Sequence, residues 1–332
     1  MVNQAIGILG TGSYLPKDEV SNEEVARRAG VTAEWIERKT QIRSRRYAAP
    51  DQATSDLGVK AAEKALQQAD LAPDQLDYLV VSTSTGDFPQ PPTSCLIQHR
   101  LGAYGAACLD INVVCSGFVY ALEVARNLLA ARPGAHALVV AADVYSRILD
   151  LTDRKTAVLF ADGAGAAVLG AVPDPYGILD TDLVSRGDAH ALIRVEAGGS
   201  RRPASAETLA DGGHHFRMDG RGVRDFVAEN VPGALRGIVD RAGFAMTDID
   251  HFVPHQANGV MLTDLVEVSG LGGATTHRTL ERFGNVGSAS VPVALDDANR
   301  SGALRDGDLV LMAGFGGGMA MGTTLMRWAV TA

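Results

Sequence analysis

The chain has 332 residues, of which 46% are hydrophobic and 21% are charged, proportions typical of a soluble globular protein. A chain of this length buries a large core and exceeds the commonest size of a single domain, so we expect two similar halves. The net charge of −9 is spread along the chain without basic clusters. This distribution argues against a nucleic-acid-binding protein, because such proteins carry concentrated positive charge.

The N-terminal segment lacks the basic start and the small-residue cleavage site of a signal peptide. No stretch reaches the roughly 18 apolar residues that a membrane-spanning helix needs. The three cysteines, Cys95, Cys108 and Cys115, lack metal-ligand spacing, which predicts free thiols in a reducing compartment. We therefore expect a cytoplasmic protein that does not bind a membrane, a metal or a redox cofactor.

Hydrophobic periodicity predicts helices and strands in alternation. In chain order these are a helix over 56–69, a strand over 78–82, a helix over 117–131, strands over 137–142 and 157–169, a helix over 223–242, a strand over 251–254, a helix over 290–301 and a strand over 309–314. Continuous apolar strands are typical of sheets covered by helices on both faces. Segment 198–213 shows no period, and we predict an irregular surface insertion there. The sequence thus predicts an α/β fold.

The chain contains an internal repeat at a constant offset. Residues 69–86 align with 242–259, and the same offset carries Asn112 to Asn285. Because one register fits some seventy residues without a net insertion, we interpret the chain as a duplicated supersecondary unit. We predict halves at 1–173 and 174–332, with the break in the Pro-containing segment 172–177.

Cys115 is the first candidate for chemistry. An apolar strand stops at this residue in the segment INVVCSGF, and a helical pattern begins just beyond it. Unpaired amide N–H groups and the helix dipole at a helix N-terminus stabilise a thiolate and lower its pKa. A thiolate suits attack on a thioester, because the bond that forms is another thioester. The alternative is that Cys115 is a small buried hydrophobic residue.

The second half supplies two polar residues at equivalent strand ends. At the repeat offset His255 aligns with Ser82, and the residue that aligns with Cys115 is Ser288. If the halves pack about a pseudo-twofold axis, Cys115, His255 and Asn285 converge. Taken one at a time, the alternatives stay open: His255 as a structural histidine and Asn285 as a turn former beside glycines.

The last glycine cluster, GFGGGMAMG at 314–322, allows a backbone amide to approach a substrate closely and to serve as an oxyanion-hole donor. The alternative is a tight turn between two strands. A phosphate-binding loop is excluded because no Lys-Ser/Thr pair follows. The run ADGAGAAVLG at 161–170 leads into a strand and does not open a helix, so we exclude a dinucleotide-binding motif.

Together these motifs resemble the β-ketoacyl-acyl carrier protein synthase III family of thiolase-fold condensing enzymes. The resemblance runs nearly end to end, through GTGSYLP, EWIERKTQIRSR, the Cys115 region, DRKTAVLFADGAGAAVLG, VPHQAN, GNVGSASVP and GFGGG. It implies an α/β thiolase fold with five layers, αβαβα, built from two duplicated halves, and a homodimer. It also implies a catalytic triad of Cys115, His255 and Asn285, with the amides of Cys115 and Gly317 as oxyanion-hole donors.

The resemblance implies a two-step reaction that needs no cofactor. Cys115 takes an acyl group from the thioester of coenzyme A or of acyl carrier protein. A malonyl-carrier protein then loses carbon dioxide, and the resulting carbanion attacks the acyl-enzyme to give a β-ketoacyl product. His255 and Asn285 would hydrogen-bond the enolate oxygen, which develops charge only during the reaction.

The resemblance also implies a coenzyme A site. Trp35 matches a tryptophan that stacks on adenine, and Arg154 matches an arginine that contacts the same ring. Lys39 stands where an arginine is usual, and Asn258 matches a pantetheine contact. From the residues alone, an ordinary exposed helix face is the favoured interpretation of Trp35 and Lys39.

Two departures from the family pattern concern the partner surface. Val260, in HQANGV, replaces an arginine that helps to dock carrier protein, and Lys39 lacks the planar guanidinium of arginine. Segments such as QIRSRRYAAP resemble relatives from secondary-metabolite pathways. The alternatives to condensation are therefore a non-decarboxylating acyltransferase or a starter-unit loading enzyme of a polyketide pathway. A non-catalytic partner subunit is the least favoured, because such subunits usually lack the cysteine.

Overall fold

The computed structural model describes residues 4–330 of the chain. The strands within that range are β1 (Ile6–Tyr14), β2 (Asp18–Ser21), β3 (Ser44–Tyr47), β4 (Tyr78–Ser82), β5 (Ala107–Ile111), β6 (Ala137–Val144), β7 (Asp162–Ala171), β8 (Gly177–Ser185), β9 (Ile193–Val195), β10 (Phe216–Met218), β11 (His251–Pro254), β12 (Thr275–Thr276), β13 (Leu309–Gly316) and β14 (Ala320–Arg327). The α-helices in that range are α1 (Asn22–Ala29), α2 (Ala33–Thr40), α3 (Thr54–Gln68), α4 (Thr93–Leu101), α5 (Gly117–Ala130), α6 (Ala206–Ala210), α7 (Gly220–Arg241), α8 (Gly259–Ser269), α9 (Leu280–Phe283) and α10 (Ser290–Arg300).

Two five-stranded sheets share one topology. The first has the strand order β1-β7-β6-β4-β5, and the second has the order β8-β14-β13-β11-β12. In both, the strands at the β5 or β12 side pair in parallel and the remaining pairs are antiparallel. Tyr78 pairs with Ala137 in the first sheet, and their counterparts at the repeat offset, His251 and Val310, pair in the second. The predicted duplication is therefore confirmed.

The sheets enclose a central layer formed by α5 and α10. Alternate residues of a strand face opposite sides of a sheet, so Val80 of β4 points into the core between the sheets, whereas Leu79 points into an outer core. Helices α3 and α4 cover the outer face of the first sheet, and α7 and α8 cover that of the second. The layers run α, β, α, β, α, which confirms the five-layer thiolase architecture.

Most predicted elements are present, with shifts of a few residues at their ends. The predicted strands over 78–82 and 251–254 coincide with β4 and β11. The strand predicted over 157–169 is wrong at its start, because hydrogen-bonded turns occupy the residues before Asp162. Segment 198–213 is not wholly irregular, since the hydroxyl of Ser205 accepts a hydrogen bond from the Thr208 amide and begins the short helix α6.

The proposed boundary falls between the two sheets. Strands of the first sheet lie within 6–171, and those of the second lie within 177–327. Side chains of the N-terminal half nevertheless share a core with the second sheet: Val20 and Ile36 pack in the same cluster as Phe252. The division at 173 therefore stays a prediction as a domain boundary.

Within residues 4–330, no helix has both the length and the apolar character needed to cross a bilayer. In the same part of the chain, no group of three or more His, Cys, Asp and Glu side chains is arranged to hold a metal ion.

Candidate active site

Cys115 lies in a tight turn between β5 and α5. A 3-10 turn spans Val114–Ser116, and α5 begins at the next residue. Val114 has a φ of 47°, a left-handed conformation that is strained for a β-branched residue. The side-chain oxygen of Asn112 accepts a hydrogen bond from the Val114 amide at 3.3 Å and supports the turn. Cys115 thus follows a strained residue at the entrance of a helix.

The end of β13 approaches this turn closely because its glycines lack side chains. A Cβ placed on Gly316 would lie 2.6 Å from the Cβ of Cys115 and 3.2 Å from its sulfur. A Cβ on Gly314 would lie 2.9 Å from the Cα of Ser116. In the neighbouring strand β14, the carbonyl of Ala320, which pairs with Gly316, accepts a hydrogen bond from the Ser116 hydroxyl at 2.7 Å. The glycine cluster therefore forms one wall around Cys115.

His255 follows directly after β11. Its backbone amide donates to the Ala313 carbonyl at 2.7 Å, and its ring packs edge-on against Phe315 at 5.3 Å between centroids. The residue is only 2% exposed. Burial lowers the pKa of His255 to about 3, so the imidazole is neutral near pH 7. Its Nδ1 is buried and has no hydrogen-bond partner among residues 4–330.

Asn285 lies in the turn between α9 and α10. Its backbone is bonded on both sides to the segment before β7: its amide donates to the Leu159 carbonyl at 2.9 Å, and its carbonyl accepts from the Ala161 amide at 2.8 Å. The side-chain oxygen of Asn285 accepts a hydrogen bond from the Gly287 amide at 3.0 Å. This bond leaves the side-chain Nδ2 as the donor available to a ligand.

The structure brings Cys115, His255 and Asn285 together. All three line one cavity of about 170 Å³. The remaining wall is mainly apolar and aromatic, with Phe160 and Phe216 among its members. Such a wall excludes water and favours neutral groups over charged ones.

The expected lowering of the pKa of Cys115 is not what this geometry favours. Burial raises the pKa of the Cys115 thiol well above its ordinary value, and the negative charge of the nearby Asp143 carboxyl acts in the same direction. Interaction with the Tyr145 side chain opposes these effects without overcoming them. Desolvation therefore outweighs the helix N-terminus, and the resting site holds a thiol beside a neutral imidazole.

An open cleft of about 1100 Å³ adjoins the cavity and shares wall residues with it, among them Lys155 and Asn258. The residues expected to contact coenzyme A all line this cleft: Trp35, Lys39, Arg154 and Asn258. Further arginines also line it, at 194, 217 and 221. The cleft thus combines an indole face with positive charge beside the entrance to the Cys115 cavity.

Asn258 and Gly317 make contacts within the protein that bear on their expected roles. The side chain of Asn258 begins α8 by accepting from the Val260 and Met261 amides, and it donates to the Lys39 carbonyl at 3.0 Å. Gly316 is the glycine of the triplet that lies against Cys115, whereas Gly317 lies against Val114 and Ile193. The assignment of Gly317 as an oxyanion-hole donor stays a prediction.

The buried residues that surround the turns are not predicted from the sequence. The ring of Tyr145 lies 4.7 Å from that of Phe160 and 5.5 Å from that of Phe216, and none of the three residues is more than 4% exposed. Asp143, fully buried at the end of β6, is another. The repeat does distinguish Asp143 from its counterpart. At the repeat offset Asp143 aligns with Gly316, which has no side chain, so the two halves differ in chemistry at this position.

Comparison with known proteins places the chain in a family. The family model of 3-oxoacyl-[acyl-carrier-protein (ACP)] synthase III matches residues 109–187, and the model of its C-terminal region matches residues 239–328. An acetoacetyl CoA synthase, NphT7, from Streptomyces sp. (strain CL190) is 51% identical over 330 residues, which are 99% of this chain and 100% of that protein.

Two further relatives agree. A beta-ketoacyl-[acyl-carrier-protein] synthase III from Caldanaerobacter subterraneus subsp. tengcongensis is 40% identical over 325 residues, 98% of each chain. The crystal structure of the priming beta-ketosynthase from the R1128 polyketide biosynthetic pathway superposes with a TM-score of 0.91 at 37% identity, covering 98% of this chain and 97% of that one. With this fold and these relatives, the chain belongs to the 3-oxoacyl-[acyl-carrier-protein] synthase III family of acyltransferases.

Proposed function

We propose that this chain is a decarboxylating condensing enzyme that loads a short acyl group on Cys115 and extends it with a two-carbon unit from a malonyl thioester. The observation that carries this proposal is that Cys115, His255 and Asn285 line one small enclosed cavity beside a basic cleft. Enolate stabilisation needs neutral donors at the nucleophile, and a neutral imidazole and a carboxamide are such donors.

In the first half-reaction, the Cys115 sulfur attacks the carbonyl carbon of an acyl-CoA. A new C–S bond forms to Cys115, and the C–S bond to coenzyme A breaks. Because burial favours the neutral thiol, the thiol proton leaves as the sulfur attacks. His255 lines the same cavity and relays this proton to the departing thiolate of coenzyme A. Because burial lowers the pKa of His255 to about 3, the imidazole carries the proton only during the transfer.

In the second half-reaction, the malonyl thioester loses carbon dioxide, and the electron pair of the broken C–C bond forms an enolate. His255 and Asn285 donate hydrogen bonds to the enolate oxygen, Asn285 through its Nδ2. The enolate carbon attacks the acyl-enzyme carbonyl, a C–C bond forms, and the C–S bond to Cys115 breaks. The Cys115 thiolate then takes up a proton from solvent, which restores the neutral thiol. An apolar wall strengthens both hydrogen bonds, because the local dielectric is low.

A short acyl group is favoured by the size and lining of the cavity. About 170 Å³ enclosed by Phe160, Phe216 and Phe315 leaves room for a chain of a few carbon atoms beside Cys115. The relative named acetoacetyl CoA synthase has a product of this kind, an acetyl group extended by two carbons on coenzyme A. We therefore propose acetyl-CoA as a donor and malonyl-CoA as an acceptor alongside malonyl-carrier protein.

The partners and the location belong to the same proposal. The basic cleft suits the phosphates of coenzyme A and of the carrier-protein arm. A homodimer agrees with β5 being an edge strand, which pairs only with β4 among the described strands. We place the enzyme in the cytoplasm, where its three free cysteines stay reduced.

A second candidate function is acyl transfer without decarboxylation, as in the loading of a starter unit. Val260, in the first turn of α8, is 40% exposed, so the position where the family often carries a carrier-docking arginine is here an apolar surface. Because the surface that would dock acyl carrier protein differs here, an acyl acceptor other than the carrier protein is favoured. This candidate keeps the acyl-enzyme on Cys115 and removes the enolate step.

Product analysis separates the two candidates. The protein is incubated with acetyl-CoA and either malonyl-CoA or malonyl-carrier protein, and both carbon dioxide and the thioester product are measured. Condensation predicts equal amounts of carbon dioxide and acetoacetyl thioester. Simple transfer predicts an acetylated acceptor without carbon dioxide, and this outcome would overturn the condensation proposal.

A further inference from the structure

The buried carboxyl of Asp143 joins the two halves of the chain beneath the active site. It is fully buried at the end of β6, and no ion pair with a described Lys, Arg or His side chain neutralises it. Five hydrogen bonds compensate its burial. Burying a carboxyl is costly unless its oxygens are hydrogen-bonded, and both oxygens of Asp143 accept hydrogen bonds.

Each oxygen of Asp143 serves a different half. Oδ1 accepts from the Ser84 amide at 2.8 Å and from the hydroxyls of Thr83 and Thr85 at 3.3 Å and 3.2 Å, all in the loop after β4. Oδ2 accepts from the amide and the hydroxyl of Ser288 at 2.8 Å and 2.7 Å. The 3-10 turn Gly287–Ala289 is the Ser288 turn. The carboxyl therefore holds the Ser288 turn of the second half against the first sheet.

The Ser288 turn also orients the side chain of Asn285. The Gly287 amide donates to the side-chain oxygen of Asn285, which points the Nδ2 of that side chain away from this bond. Gly287 has a φ of 60°, and a Cβ placed there would lie 2.5 Å from Oδ2 of Asp143 and 2.3 Å from the Tyr145 ring. The turn thus fits closely against Asp143, and its position depends on that carboxyl.

We propose that Asp143 is a positioning residue for Asn285, acting through Ser288 and Gly287. The proposal deepens the proposed function and rests on it, because it assigns Asp143 to the enolate step and not to the loading of Cys115. Loading needs Cys115 and the neighbouring Gly316, and neither residue is hydrogen-bonded to Asp143 or to residues 287–289 within the described part of the chain. The charge of Asp143 acts on Cys115 only by raising the pKa of its thiol. Loss of Asp143 should therefore slow condensation far more than acylation.

Asp143→Asn and Ser288→Ala test this separation. The carboxamide of Asn has the shape of the Asp143 carboxyl. Its NH2 group, however, would face hydrogen-bond donors at the place of one carboxyl oxygen. For Asp143→Asn we expect acetylation of Cys115 to be at least as fast as in the wild type, because removing the Asp143 charge lowers the pKa of the thiol. We expect condensation to slow by about 30-fold, as for a displaced catalytic donor. Ser288→Ala removes one hydroxyl and keeps the amide bond, so condensation should slow by about 5-fold. If Asp143→Asn fails to fold, Ser288→Ala decides the question.

The measurement uses single turnovers followed by intact-protein mass spectrometry. Protein acetylated with acetyl-CoA is freed of excess donor and mixed with malonyl-CoA, and loss of the acetyl mass reports condensation. Asp296→Asn is the matched control, since Asp296 is also a buried carboxyl, 1% exposed, but it bonds Thr11, Ser13 and Arg300. We expect that control to lower the melting temperature without changing the ratio of the two rates.

A double substitution separates positioning from a general effect. If Asp143 acts through Asn285, Asp143→Asn should add little to the defect of Asn285→Ala, so that the double variant condenses within about 3-fold of Asn285→Ala. Equal slowing of acylation and condensation, unchanged condensation in Asp143→Asn, or multiplicative defects in the double variant would each overturn the proposal. Failure of the wild-type protein to form an acetyl adduct contradicts the proposed function instead.

Discussion

Ser288 occupies in the second half of the chain the turn position that Cys115 occupies in the first. The 3-10 turns Val114–Ser116 and Gly287–Ala289 are equivalent at the repeat offset, and each includes a residue with positive φ, at 47° and 60°. The residue that faces each turn from the neighbouring sheet differs. Asp143 bonds Ser288 with its carboxyl, whereas its counterpart Gly316 has no side chain and lets β13 approach Cys115 closely. The turn at Ser288 is therefore held by a carboxyl, whereas the turn at Cys115 lines the active-site cavity.

The close approach of Gly316 to Cys115 predicts that Gly316→Ala strongly slows acylation. The new Cβ would lie 2.6 Å from the Cβ and 3.0 Å from the amide nitrogen of Cys115, so a strand or a turn must move. We expect acetylation to slow by at least about 100-fold, because small displacements of a reacting group have effects of that size. Rapid-quench mass spectrometry of the acetyl adduct measures the rate.

Gly272→Ala is the control for that substitution. A Cβ on Gly272 meets no atom within 4 Å, and its φ is outside the left-handed region, so acetylation should be unchanged. Equal rates for Gly316→Ala and the wild type would contradict the close approach of β13 to the nucleophile.

Burial of His255 predicts that stability falls in mild acid. The pKa of its imidazole is lowered to about 3 in the folded protein from an ordinary value of 6.5, so the unfolded chain binds more protons between these values. The contribution of His255 to the free energy of unfolding is present above pH 6.5 and decreases as the pH falls toward 3. Between pH 7 and pH 4 the decrease should be about 3 kcal/mol.

His255→Gln isolates this contribution. Urea unfolding at pH 7 and at pH 4 should show a loss of stability smaller by about 3 kcal/mol in the variant than in the wild type. Part of the wild-type loss will remain in the variant, because burial also lowers the pKa of His277, to about 4. The same loss in both proteins would show that His255 is not buried as a neutral group.

The cleft predicts that Trp35 and Arg154 recognise the nucleotide end of coenzyme A. We expect Trp35→Ala and Arg154→Ala to lower kcat/KM for acetyl-CoA by about 10-fold each, since stacking and charge-assisted contacts are worth one to a few kcal/mol. Acetyl-N-acetylcysteamine lacks the nucleotide, so its kcat/KM should not change.

Arg132→Ala provides the comparison for Arg154→Ala. Arg132 is a surface arginine paired with Asp77, outside the cleft, and its loss should affect neither substrate. If kcat/KM falls equally for both thioesters in the Trp35 and Arg154 variants, the cleft does not recognise the nucleotide.

The repeat explains how much of the fold and the site the sequence predicts. A constant offset fixes the equivalence of β4 with β11 and of the turns at Cys115 and Ser288, and from that equivalence the convergence of Cys115, His255 and Asn285 follows. Local apolar patterns place β4 and β11 at their observed residues because those strands are buried on both faces.

What the sequence does not show depends on contacts between distant residues. The raised pKa of Cys115 comes from burial and from Asp143, which β6 brings close. A helix N-terminus is visible in the sequence, but the desolvation that outweighs it is not. The role of Asp143 likewise becomes apparent only when one carboxyl bonds both Ser288 and Ser84, which lie far from it along the chain and on opposite sides of it.

The central claim is that Cys115 carries the acyl group. Intact-protein mass spectrometry after mixing with acetyl-CoA tests it most directly, with Cys115→Ala as the comparison. We predict a mass gain of one acetyl group per chain in the wild type, none in Cys115→Ala, and loss of the gain when malonyl-CoA is added. An acetyl adduct of equal amount in Cys115→Ala, or no adduct from either acetyl-CoA or acetyl-carrier protein in the wild type, would contradict the account.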